Sequence, residues 1–180
     1  MKVGIALNML TKEGRSDASV LGEHLALGDL AEPLGFDSLF ALEHHFTGYA
    51  MSPSPTQLLS YFAGRTRRIT LGTAVIVLPW HDPVRVAEEI ALLDVLTGGR
   101  CLFGFGRGAA SVEYAGFRVS MEEARPRFVE AAQVVIKALT QECLSPMSFI
   151  ACLPDQCIEH GRNISLEGLL SKLVPEGFVR

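Results

Sequence analysis

Short apolar runs alternate with amphipathic stretches over the first 140 residues, and that rhythm confines the chain to a parallel α/β fold. Residues 3–9 read as a first strand, and a helix is expected over 18–34 with Gly35 as its terminator. Residues 36–42 form a second strand. The next helix has a clear start, with Ser54 as N-cap, Pro55 at the first helical position and Gln57 closing a capping box. A third strand lies within 68–78. Asp82-Pro83 then opens a helix through 96, whose stripe of Val86, Ile90 and Leu93 ends at Gly98-Gly99. Residues 100–105 make a fourth strand, and Ser120 with Glu123 start a helix reaching 140. Four βα units imply parallel strands joined by right-handed crossovers. Periodicity alone leaves half of a closed barrel and an open doubly wound sheet both standing. Pro33 and Pro126 fall inside the expected helices, where each is expected to kink or interrupt its helix.

Alternate positions in three strands are small: Gly4 and Ala6, Gly72 and Ala74, Gly104 and Gly106. With period-two alternation they thin out one sheet face, leaving room for a flat ligand or for close packing. Length limits the barrel reading, because a complete (β/α)₈ barrel takes about 250 residues and this chain has 180. After Glu142 the strand–helix rhythm stops. Residues 143–180 read as a divergent tail, rich in Cys, Ser and Pro, with one helical pattern over 165–173.

Net charge of −4 and the lack of any Lys/Arg-rich stretch exclude a nucleic-acid partner. The N-terminus reads as a buried strand, no apolar run could span a bilayer, and a cytoplasmic protein is expected. Cys101, Cys143, Cys152 and Cys157 fit no metal-ligand spacing and read as reduced thiols, with Cys101 in core packing.

In parallel α/β folds, functional groups gather at the carboxyl ends of the strands. Those ends carry Asn8-Met9, Glu43-His44-His45-Phe46, Pro79-Trp80-His81 and Gly106-Arg107-Gly108. Imidazole exchanges protons near neutral pH, so one of His44 and His45 is a candidate acid/base. Adjacent residues at a strand end point opposite ways, so only one should face a cavity. Glycines beside Arg107 let backbone amides approach an anion, and the guanidinium fork suits phosphate. Trp80 and His81 suit packing at the barrel top better than a pocket wall. A metal pair is disfavoured, since its remaining ligands are not evident.

Three stretches, LGFDSLFALEHHF, YAMSPSPTQLLSYFAGRTRRITLGTAVIVLPWHDPVRVAEEIALLDVLTGGR and FGFGRGAASVEYAGF, together resemble the luciferase-like flavin monooxygenases over residues 1–142. The resemblance implies the N-terminal half of a TIM-like (β/α)₈ barrel. It also implies reduced FMN supplied by a separate flavin reductase, with a deazaflavin (F420) in some relatives, and oxidation of a carbonyl or other small-molecule substrate by O₂. His44 matches the family's active-site histidine, with His45 beside it. Thr73, Ala74 and Val75 match the strand under the flavin ring, sometimes through a non-proline cis peptide, and Arg107 matches a flavin-phosphate position. Family members continue past 142 with four more strands, so a truncated copy is expected here. Its open edges would need a dimer mate or another partner as cover. The competing expectations are a non-catalytic flavin-binding or subunit-like remnant and, more remotely, a metal-dependent barrel hydrolase.

Overall fold

A computed structural model describes residues 1–140, apart from 12, 13, 49 and 51. The expectations for 143–180 therefore lie outside the described residues. The strands are β1 (Gly4–Leu7), β2 (Ser38–Ala41), β3 (Thr70–Thr73), β4 (Ile76–Val77), β5 (Cys101–Leu102) and β6 (Phe105–Gly106). The helices are α1 (Asp17–Ala31), α2 (Pro55–Ala63), α3 (Pro83–Thr97), α4 (Ser111–Phe117) and α5 (Ala124–Thr140). The pairings among these strands are parallel, in the order β1-β2-β3-β5, and β4 pairs with β6 beyond them.

Register decides between the two architectures. Ile5, Leu39, Leu71 and Cys101 line up across the sheet, as do Leu7, Ala41 and Thr73. Most of that face packs with Ala31, Leu59, Phe62 and Leu93 from α1, α2 and α3 in one core cluster. The opposite face carries Gly4, Ala6, Phe40, Gly72 and Leu102, and Leu102 is 49% exposed. Helices on one face and strands in sequential order describe part of a barrel; a doubly wound sheet is covered on both faces. The described residues thus build the N-terminal half of a TIM-like (β/α)₈ barrel.

Local signals act largely as expected. Ser54 accepts from the Gln57 amide at 3.4 Å, and Asp82 caps α3 through the Val84 and Arg85 amides. Gly98 closes α3 with φ of 66°, a left-handed conformation that glycine adopts without steric cost. Four expectations need correction. Helix α1 ends at Ala31, so Pro33 follows it and kinks nothing. A 3₁₀ turn over Met121–Glu123 precedes α5, which puts Pro126 in that helix's first turn, where no amide donor is required. The third and fourth strands are each broken in two. Where they part, Thr73 Oγ1 donates to the Gly104 carbonyl at 2.7 Å and accepts from its amide at 3.0 Å, replacing the missing ladder bonds. Finally, α4 was not anticipated.

The thinned face resolves as internal packing. A Cβ at Gly72 would stand 2.5 Å from the Phe40 ring, and one at Gly4 would stand 3.0 Å from it. A Cβ at Gly104 would strike the Thr73 carbonyl, and one at Gly106 would meet Val75 Cγ2 at 2.8 Å. One aromatic ring and a close strand approach, not helix packing, account for these glycines. No helix among the described residues is long and apolar enough to cross a membrane.

Candidate functional site at the carboxyl ends of the strands

The strand ends line an open cleft of about 380 Å³. Leu42, Ala74, Val75 and Val77 give it apolar walls, while His44, Glu113 and the turn at Gly108 add polar groups. The Ala74–Val75 peptide, at the break between β3 and β4, is cis.

Two buried carboxylates organise the Glu43-His44-His45 corner. Glu113, on α4 and 2% exposed, accepts from His44 Nδ1 at 3.1 Å and from the His45 amide at 2.9 Å through the same oxygen. An ionised carboxylate only accepts, so Nδ1 of His44 carries the proton in this contact. Glu43, 4% exposed, faces four donors. Its Oε1 accepts from His45 Nε2 at 2.7 Å, His81 Nε2 at 2.6 Å and Trp80 Nε1 at 2.9 Å, while its Oε2 accepts from the Val77 amide at 2.7 Å. Burial pushes the Glu43 carboxyl upward, but the bonds and charge from His81, His45 and Trp80 outweigh it and hold the group below the ordinary carboxylate range.

Each residue singled out from the sequence has a definite place. His44, its side chain 28% exposed, lines the cleft with Ala74 and Val75. His45 turns the other way, into an aromatic cluster, with its ring edge-on to Phe117 at 4.7 Å and to Trp80 at 6.1 Å. Thr73 is buried and occupied with Gly104, away from the cleft. Arg107 is exposed beside the cleft-lining Gly108, and its carbonyl accepts from the Tyr114 hydroxyl. Trp80 stacks on Phe117 at 5.2 Å, in keeping with packing at the barrel top. Cys101 packs against both core clusters, and burial followed by the charge of Asp94 pushes its thiol up to about 11.

The sequence reading missed Glu113 and the hub role of Glu43. Glu43 stands in the strand-end motif, but three of its four donors come from the separate Val77–His81 segment, which no local pattern links to it. Glu113 belongs to a seven-residue helix that is too short to show a convincing 3.6-residue period.

A half-barrel sheet with a largely apolar cleft at its strand ends, edged by His44 and Glu113, defines an α/β barrel protein with a candidate small-molecule site. The chain belongs to the luciferase-like monooxygenase family, whose model matches residues 1–149. It is 36% identical over 125 residues to the alkanal monooxygenase alpha chain of Photorhabdus laumondii, covering 69% of this chain and 35% of that one. The monooxygenase RslO1 from Streptomyces bottropensis superposes with a TM-score of 0.78 at 34% identity, over 83% of this chain and 46% of that one. The fold also recurs, at 21% identity and a TM-score of 0.76, in the oxygenating constituent of 3,6-diketocamphane monooxygenase from Pseudomonas putida, solved with FMN; 82% of this chain and 42% of that one are covered. An F420-dependent secondary alcohol dehydrogenase shares it at 18% identity and a TM-score of 0.66, over 82% of this chain and 44% of that one. The chain spans about a third of the length of the curated relatives it matches and under half of these solved chains.

Proposed function

We propose that this chain carries the cofactor side of a flavin-dependent monooxygenase that uses reduced flavin and O₂ to oxidise a small organic substrate, with carbonyl compounds the favoured class. The observation that carries the reading is the convergence of His44, the Ala74–Val75 segment and the Gly108 turn on one cleft. The cleft fits a flavin in chemical character. Its walls at Ala74, Val75 and Val77 are apolar and bear no bulky side chain, which suits a flat ring. Arg107 is exposed one residue from the cleft and suits a phosphate. Ala74 and Val75 would hold the ring, Arg107 the phosphate of FMN or the phosphorylated chain of deazaflavin F420. The alkanal monooxygenase relative favours a carbonyl substrate, and the fold neighbour solved with FMN favours FMN; delivery of the reduced flavin by a separate reductase belongs to the same proposal.

When bound, the reduced flavin supplies the electrons that activate O₂. The protein's part is positioning, exclusion of water by the apolar walls, and proton management. With Nδ1 held by Glu113, the His44 ring has a fixed orientation, and Nε2 is the atom at which it takes up or releases a proton. A partner covering the inner sheet face at Ala6 and Leu102 belongs to the same reading, because those two residues are exposed on it.

The purified chain, mixed with reduced FMN in aerated buffer and a series of straight-chain aldehydes, should consume O₂ in an aldehyde-dependent way above free-flavin autoxidation. Saturable flavin binding without added O₂ uptake would instead indicate the subunit-like role. No binding of either FMN or F420 would remove the proposal.

A further inference from the structure

Glu43 lines the cleft together with His44 and Glu113, but both of its oxygens are taken up by four donors. We propose that Glu43 is a positioning residue for the cleft: its carboxylate clamps the Val77-to-His81 segment against the His44–His45 corner and thereby sets the wall on which the Gly108 turn rests. One oxygen gathers His45, His81 and Trp80, and the other takes the Val77 amide. Val77 is itself a wall of the cleft. Gly108, another wall, packs directly on this segment: a Cβ there would lie 2.6 Å from Val77 Cγ1 and 3.0 Å from Trp80 Cη2. Arg107 is joined to that same turn. A single carboxylate thus governs the spacing between the histidine corner and the edge that carries the cation.

Glutamine cannot take over this task although it has the same shape. An amide offers one acceptor and one donor end. Whichever way it turns, its NH₂ faces either three donors or the Val77 N–H, so at least one buried donor loses its partner. The change leaves packing volume nearly unaltered, which separates positioning from bulk.

The inference rests on the flavin-site reading for its binding readout, and the chain supplies a second readout that does not. Trp80 is the one tryptophan in the sequence, and its indole N–H donates to Glu43. In Glu43→Gln, measured well below its melting temperature, Trp80 emission should move to longer wavelength and reduced-FMN dissociation should rise about tenfold, with wild-type far-UV dichroism. A merely structural role would lower the melting temperature and leave the affinity of the folded protein unchanged. Should Glu43→Gln not fold, His81→Gln decides: it changes a donor whose side chain is 33% exposed and should shift both readouts the same way, less far. A folded variant with wild-type emission and affinity overturns the proposal. If the wild-type chain binds no flavin, the functional reading fails, and Trp80 emission still decides whether Glu43 holds the Val77-to-His81 segment.

Discussion

His44→Ala is expected to slow substrate-dependent turnover by about 10²–10⁴-fold, the usual contribution of a positioned acid/base, while flavin affinity changes little. The ring lines the cleft with its Nδ1 3.1 Å from Glu113, so truncation removes the group proposed to exchange the proton and leaves the apolar walls at Ala74 and Val75 intact. Arg107→Ala should behave oppositely. Its side chain is exposed, its carbonyl accepts from the Tyr114 hydroxyl, and its charge acts on that same hydroxyl. Loss of one charge-assisted contact to a phosphate weakens binding by about 10–100-fold, with turnover at saturating flavin nearly preserved. Steady-state rates and flavin titrations on both variants check the division. Equal losses of affinity and turnover in each variant would refute it.

The second large effect concerns the core. Phe62 is fully buried on α2, and its ring lies directly over Gly28 of α1. Phe62→Ala should cost about 3–5 kcal/mol by lost transfer energy and the cavity left behind, a large share of the stability of an ordinary domain. Glycine inside a helix ordinarily gains about 1 kcal/mol on replacement by alanine. Gly28→Ala should instead destabilise, since its Cβ would collide with the Phe62 ring. Together the two changes should cost less than the sum of the separate losses, because the new methyl enters the vacated space. Denaturant unfolding of the three variants measures this, and strict additivity would mean the two residues do not share that space.

The alternation of apolar and amphipathic stretches sufficed for four βα units because each element repeats its period several times. Val86, Ile90 and Leu93 are buried as their spacing required. The choice between half of a barrel and an open doubly wound sheet was not visible in that pattern. It depends on register, which places Ile5, Leu39 and Leu71 on one face only after the strands are paired. The glycines misled for a related reason: the Phe40 ring that fills the space over Gly4 and Gly72 comes from a neighbouring strand far along the chain. Breaks in strands three and four also escaped, since Thr73 repairs the ladder with its side chain.

At the site, His44 and the Ala74–Val75 segment were identified through motif and family resemblance, and the cleft unites them. The carboxylates that hold the corner were harder to find. Glu113 contacts His44 across 69 positions of sequence, and Glu43 reaches His81 across 38. No local pattern encodes such pairings, because they arise only when separate strand ends meet at one mouth.

The proposed function requires that reduced flavin bind in the cleft bounded by His44, Ala74 and Val75. Anaerobic titration of the chain with reduced FMN, followed by quenching of Trp80 emission, tests it most directly. The wild-type chain should give saturable quenching, and Ala74→Leu, which fills the cleft, should abolish or greatly weaken it. Absence of saturable quenching in the wild type, or equal affinity in Ala74→Leu, would contradict the assignment.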